Sequence, residues 1–327
     1  MSILVTGVPG WLGTRLVEIF RERGREVSCL TLPGLGNSYL RKIGARVVEG
    51  DLLDSKSLRA SCHNIKTVFH CAGLIHPQKV KELYELNVKG TNNILEEAIK
   101  SGAERFIYIS SNSAAGINTS RSILMRESDP ERPYMNYGLS KHKAEELVNR
   151  AFREKRIKTT ILRPCWFYGI RQPERQTRFF RMIKNGNPII FGDGNNLRSL
   201  SYIDNIAEAL LLAEQKSISI GETYWVADRK AYPVIEIYRT IARLLGVKNF
   251  RPRFVPAFVS GVCEFTDKLL QGAGCYVKEI HVAAEMTKDI ACSIKKAQDE
   301  LGYDPKIELE EGMERSIKWC KDNGVRI

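Results

Sequence analysis

At 327 residues, 43% of them apolar and 27% charged, the chain is long enough to bury a sizeable core, and its mixed composition excludes disordered and fibrous classes. The net charge of +12 raises nucleic acid, an anionic membrane or an anionic small substrate as partners. The cations, however, run from Arg15 to Arg326 interleaved with acids, as in Arg21-Glu22-Arg23, so a solvated mixed-charge surface is expected, with neither a nucleic-acid nor a membrane partner.

From Ser2 to about Arg163, short β-branched runs alternate with amphipathic stretches, the rhythm of a parallel sheet covered by helices on both faces. The expected strands are Ile3–Thr6, Glu26–Leu30, Ala45–Glu49, Thr67–Cys71, Arg105–Ser110 and Lys158–Leu162, with helices over Gly13–Arg23, Val80–Ser101 and Tyr137–Glu154. After Pro164 the rhythm weakens. Helices are expected at Thr177–Asn185, Asn205–Gln215, Val234–Leu245, Phe258–Leu270 and Glu311–Asp322, with one more strand at Thr223–Ala227. This predicts a Rossmann-type doubly wound α/β domain over residues 1–165. A smaller α/β substrate domain follows over 166–327, with about 200–227 returning to the first.

Taken in chain order, the first motif is Thr6-Gly7-Val8-Pro9-Gly10-Trp11-Leu12-Gly13, between a strand and a helix. Glycines there allow a tight turn and close approach of a pyrophosphate, whose charge the helix N-terminal amides meet. Alone, the pattern is equally a tight β-to-α turn. The end of the second strand, Thr31-Leu32-Pro33-Gly34, offers neither the carboxylate that binds ribose hydroxyls nor an arginine for a 2′-phosphate, although Arg41 and Lys42 follow closely. NAD is the expected cofactor, with NADP not excluded. Ser111 lies where the fifth strand runs out into a polar loop, a place where catalytic groups collect and where serines also cap helices. Tyr137-Gly138-Leu139-Ser140-Lys141 puts a phenol and an ammonium one turn apart on a helix; an ammonium near the phenol would lower its pKa from about 10 and suit it to proton exchange with a substrate hydroxyl. The same spacing also occurs in ordinary amphipathic helices.

Taken together, the motifs resemble those of the extended short-chain dehydrogenase/reductase family: TGVPGWLG (6–13), GDLLD (50–54), HCAG (70–73), NVKGT (87–91), YISS (108–111), YGLSK (137–141), LRPCWFYG (162–169), GDGNNLRSLSYIDN (192–205) and KKAQDELGYDP (295–305). The resemblance runs from residue 2 to about 320. It implies that Tyr137 is the acid/base, that Lys141 tunes it and binds the nicotinamide ribose, and that Ser111 orients the substrate. It further implies cofactor contacts from Gly7, Gly10, Trp11, Leu12 and Gly13, from Asp51 and Leu52 at the adenine, from Ala72 and Gly73, and from Pro164 near the nicotinamide. Substrate contacts are implied for Asn112, Trp166, Arg178 and Arg198, and a homodimer through the helices at roughly 80–101 and 137–154.

Family members that dehydrate nucleotide sugars carry an extra acid after the catalytic hydroxyl, because eliminating water needs a further acid and base. Here Asn112 and Ser113 stand there instead, and the cysteine that marks 3,5-epimerases is also absent, so a nucleotide-sugar 4-epimerase is the leading expectation. Arg198, at the position of the arginine that grips the diphosphate, supports it, with Arg171, Arg175, Arg178 and Arg181 available to help. The alternative is a 3β-hydroxysteroid dehydrogenase-like or dihydroflavonol reductase-like enzyme, with the amphipathic stretch Phe254–Phe265 walling an apolar pocket. A non-catalytic dinucleotide sensor is a third reading, opposed by Ser111, Tyr137 and Lys141 standing together.

The five histidines form no ligand-spaced cluster, so no metal site is expected. Eight cysteines without a Cys-x-x-Cys pair suggest free thiols, and the absence of a signal-peptide plan or long apolar run makes the cytoplasm the expected location.

Overall fold

The computed structural model describes residues 2–327; the side chain of Arg175, one of the four arginines named above, lies outside the described part. Six strands follow the expected rhythm: β1 (Ile3–Thr6), β2 (Val27–Thr31), β3 (Arg46–Glu49), β4 (Thr67–His70), β5 (Arg105–Ile109) and β6 (Lys158–Pro164). With Thr223–Val226 they form a seven-stranded parallel sheet in the order Thr223–Val226, β6, β5, β4, β1, β2, β3. Side chains along each strand alternate between two buried layers. Ile3, Val5, Ile107, Ile109 and Leu162 enter one apolar cluster, whereas Leu4, Phe106, Tyr108 and Ile161 enter the other.

The expected elements reappear with ends shifted by no more than three residues. Helices span Trp11–Glu22, Met135–Arg153, Glu174–Lys184, Ile203–Gln215, Val234–Leu244 and Leu309–Asp322. The stretch expected as one helix from Val80 is continuous but not uniform: Val80–Leu83 is α-helical, Tyr84–Gly90 is a π-helical turn, and Thr91–Lys100 resumes the α-helix.

Within residues 200–227, Thr223–Val226 is the edge strand beside β6. Ile203–Gln215 is tied to Trp11–Glu22 by an ion pair of Arg15 with Asp204 at 2.7 Å, and to Arg23 just after that helix through Glu208 at 2.7 Å. Trp225, fully buried, sits in the same apolar cluster as Val5.

One expectation fails here. Phe254–Phe265 does not wall an apolar pocket: Arg253–Val255 is a short strand, Ala257–Gly272 is a helix, and its large apolar side chains face outward, with Phe258 71% and Phe265 64% exposed. Periodicity identified an amphipathic helix but could not say which face turns inward.

Among the described residues no helix is long and apolar enough to cross a membrane, and all eight cysteines are free. Glu131, His142 and Glu145 do converge, contrary to the expectation that no metal-ligating cluster forms. The buried Arg163 guanidinium already pairs with both carboxylates, donating from Nε to Glu145 at 2.9 Å, so a resident cation neutralises the acids.

Candidate active site

The strand order reverses direction between β1 and β4, and the crevice at the carboxyl ends of these two strands is the switch point of the sheet. Gly7, at φ +77°, begins the turn after β1; a Cβ there would stand 2.6 Å from the Ala72 nitrogen. A Cβ on Gly10 or Gly13 would meet the Gly7 carbonyl oxygen at 2.6 or 2.5 Å. The three glycines therefore serve close approach, leaving the first amides of Trp11–Glu22 at the crevice. Leu12 is buried, while the Trp11 indole donates to the Ile170 carbonyl at 2.6 Å and fixes the helix start to the second half of the chain.

Below the turn, buried His70 bridges Thr6 Oγ1 at 2.7 Å and Thr91 Oγ1 at 2.9 Å. Burial, aided by the Lys141 ammonium, pushes its pKa down to about 3, so the ring is a neutral strut. Thr6 Oγ1 also accepts from the Ala72 amide at 3.3 Å, holding Ala72 and Gly73 against the glycine turn.

Gly73 leads to the catalytic candidates. A Cβ on it would lie 3.6 Å from Lys141 Nζ and 3.5 Å from Asn87 Oδ1. Lys141, 3% exposed, donates to the Ile109 carbonyl at the end of β5 at 2.7 Å and lies 4.3 Å from the Tyr108 ring centroid. Burial pushes its pKa down to about 7, against the upward pull of Glu145 one turn on. Tyr137, in the first turn of the same helix, is half-buried, and its phenol is close enough to those of Tyr108 and Tyr276 to act on them electrostatically. Gly138 lets this helix press on the next loop, since a Cβ there would meet the Ser113 carbonyl oxygen at 2.2 Å. Ser111, 8% exposed, caps the short helix Asn112–Ala115 by accepting from the Ser113 amide at 3.2 Å. Asn112 is half-buried beside it.

Two residues not anticipated as site residues complete this frame. Asn87, in the π-helical turn, donates to Ser140 Oγ at 3.0 Å and to the Leu74 carbonyl at 2.9 Å, and accepts from the Leu74 amide at 2.7 Å. It thus clamps the loop after β4 to the Tyr137 helix. Asn37, 6% exposed, donates to Thr31 Oγ1 at the end of β2 at 3.0 Å, while its Oδ1 is buried without a partner. That acceptor stands where a ribose-binding carboxylate was sought and not found. The cue was a lone polar side chain six residues past the strand end. Arg41 and Lys42, considered for the same role, are exposed.

The remaining candidates follow β3 and β6 or lie further along the chain. Asp51 and Leu52 follow β3: the Asp51 carboxylate accepts from the Leu53 amide at 2.8 Å, and the Leu52 carbonyl accepts from Asn93 at 2.7 Å. Pro164 is the buried last residue of β6, and Trp166, two residues on, packs on Phe179 with 5.4 Å between ring centroids. Arg198 is 8% exposed and donates to the Glu285 backbone carbonyl, and among the described residues it forms no ion pair with a carboxylate. Burial pushes its pKa down while Glu285 and Asp289 pull it up. Arg178 lies apart from this group: its side chain is 63% exposed and pairs with Glu174 on its own helix. Arg171 and Arg181 also have partners, Glu18 at 2.8 Å and the Arg326 carbonyl at 2.9 Å.

A glycine turn at a topological switch point, with a buried lysine and a tyrosine one turn apart beside it, defines a dinucleotide-dependent enzyme of the extended short-chain dehydrogenase/reductase type. Residues 3–227 match the model of the NAD dependent epimerase/dehydratase family, and the chain belongs to that family of enzymes, whose cofactor is NAD. The chain is 38% identical to uncharacterized protein y4nL of Sinorhizobium fredii, over 98% of this chain and 96% of that one. It is 31% identical to a putative UDP-glucose 4-epimerase of Methanocaldococcus jannaschii, over 98% and 99%. Among solved structures, the UDP-glucose 4-epimerase of Thermotoga maritima with UDP-glucose matches at TM-score 0.81 and 25% identity, covering 99% of each chain.

Proposed function

We propose that the protein is a nucleotide-sugar 4-epimerase, acting on a sugar attached to a nucleoside diphosphate. The observation that carries this reading is Arg198, a buried guanidinium without a carboxylate partner among the described residues. A buried cation in that condition is costly, and an anion such as a diphosphate, bound through paired hydrogen bonds, relieves the cost.

The residues fit a dinucleotide: the glycines after β1 let the turn fold tightly on itself and on Ala72, which no side chain would permit, and Asn37 Oδ1 is an unused buried acceptor for a ribose hydroxyl. A bound NAD would supply the hydride chemistry at the sugar carbon. In this reading Tyr137 takes the proton from the substrate hydroxyl and later gives it back. Lys141 stands one helical turn from it and holds positive charge at the carboxyl end of β5. Ser111 uses its hydroxyl oxygen for the helix cap and gives its hydrogen to the substrate oxygen, with Asn112 and Trp166 at the sugar side. Residues 1–165 serve mainly the cofactor and 166–327 mainly the substrate, and a homodimer through the helices at 80–101 and 137–154 belongs to the same reading. The apolar-alcohol reading loses its structural support, because the stretch from Phe254 to Phe265 presents its large side chains outward.

Arg198→Ala should weaken binding of UDP-glucose about 100-fold or more while leaving the NAD content of the purified protein unchanged. Isothermal titration with UDP-glucose, UDP-galactose and their glucuronic acid counterparts reads the effect. Unaltered affinity for every one of them removes the nucleotide-sugar assignment.

A further inference from the structure

The helix Ala257–Gly272 is inside out. The three of its residues that are buried are Ser260, Asp267 and Gln271, all polar, and each is engaged inward. Ser260 Oγ donates to the Ala283 carbonyl at 2.9 Å, Asp267 meets His281 Nδ1 at 2.7 Å, and Gln271 Oε1 accepts from the Asn136 side chain at 3.0 Å. The outward face instead carries Phe258, Val262, Phe265 and Leu269, which are 71, 58, 64 and 60% exposed. Their spacing of four, three and four residues places them in one stripe down the helix. Phe254, 55% exposed, continues the stripe into the preceding short strand, which pairs with the strand of Ile189, itself 45% exposed. Contiguous large apolar side chains on an outer surface mark something that covers them.

Charge says what that is. From Gly246 to Cys263 the chain carries Lys248, Arg251 and Arg253 and no acid, and all three cations are exposed. Glu264, beside the stripe, is neutralised by Lys268 at 3.0 Å and Lys288. The whole chain adds a net charge of +12. Aromatic and branched side chains on one helix face, preceded in the chain by exposed cations and no acid, match an anionic lipid surface: the apolar stripe would enter the acyl boundary while the cations stay at the headgroups. A second copy of this chain would bring the same three cations to the same stripe and gain no such charge match.

We propose that this face is a peripheral docking surface for an anionic bilayer, with Ala257–Gly272 lying in the plane of the interface. The proposal is independent of the substrate assigned above. The same helix holds Asn136, next to Tyr137, through Gln271, so the bilayer would lie just outside one wall of the catalytic site. The sequence did not flag this surface because the stripe is short and its periodicity equally describes a helix packed on the core.

Flotation of the full-length protein with vesicles of phosphatidylcholine containing about a third phosphatidylglycerol tests it. The wild type should float with these vesicles, less so at high salt, and bind vesicles of phosphatidylcholine alone at least about tenfold more weakly. The double variant Phe258→Ser, Phe265→Ser should lose about tenfold or more in binding to the anionic vesicles, with an unchanged thermal midpoint because both side chains are exposed. In the single variant Phe258→Trp, indole fluorescence should shift to the blue on adding the same vesicles. Failure of the wild type to float at any lipid concentration up to about the millimolar range overturns the proposal. So does binding that survives in the double variant, or sedimentation equilibrium showing that the double variant dissociates a dimer through this face.

Discussion

Lys141 combines two roles that pull against each other. Its ammonium is fully buried, with the Ile109 carbonyl as hydrogen-bond acceptor, and burial holds its pKa at about 7, far below 10.5. For a base whose folded pKa is lowered, the unfolded chain keeps the proton that the folded chain sheds between pH 7 and 10.5, so stability rises with pH across that window. The penalty is complete below pH 7 and gone above 10.5. Lys141→Met should therefore be more stable than the parent at pH 7, by about 1–2 kcal/mol once the lost hydrogen bond is offset, and inactive. The stability gap should narrow as the pH rises from 7 toward 10, as chemical denaturation at several pH values will read; a gap that is constant with pH contradicts the buried ammonium. Tyr137 and Lys141 were legible in the sequence because a spacing of four is a statement about a helix face. Asn37 and Asn87 were not, because what matters in each is where an amide side chain points, and no spacing rule carries that.

At the scale of elements, the carboxyl ends of β1 and β4 are joined by a single ring. His70 spans Thr6 and Thr91, linking both strands to the helix that starts at Thr91, and it stays neutral at physiological pH. Its folded pKa of about 3 lies below the unfolded 6.5, so between these values the unfolded chain binds a proton that the folded chain cannot. The stabilisation is complete above pH 6.5 and is lost as the pH falls toward 3, with a slope of about 1.4 kcal/mol per pH unit. His70→Asn should be less stable than the parent at pH 7 but less sensitive to acid over pH 6 to 4, measured by urea denaturation. Parallel slopes for the two proteins would contradict the neutral strut. The seven strands of the sheet were readable because strands buried on both faces show as near-continuous apolar runs, and each lies within three residues of where the sequence put it. The π-helical turn at Tyr84–Gly90 and the outward stripe of Ala257–Gly272 were not readable. The first changes one hydrogen-bond register without changing composition, and the second depends on partners far away in the chain.

For the molecule as a whole, the two halves share one interior. The apolar cluster on one side of the sheet runs from Ile3 and Val5 through Trp225 to Leu309 and Ile317, and the Trp11 indole reaches the Ile170 carbonyl across the crevice. The amino- and carboxyl-terminal halves of the chain are thereby packed on one another. Lys141, one helical turn after Tyr137, stands beside Gly73, and Tyr137 itself is within electrostatic reach of Tyr276. The epimerase proposed above requires a single phenol, that of Tyr137, to serve the reacting sugar carbon. The most direct test is the interconversion of UDP-glucose and UDP-galactose, followed by proton NMR, with the parent protein and with Tyr137→Phe carrying the same amount of bound NAD. The parent should equilibrate the two sugars, and the variant should be slower by about 100- to 10,000-fold. A variant that turns over as fast as the parent would contradict the assignment of Tyr137 as the proton-transferring group.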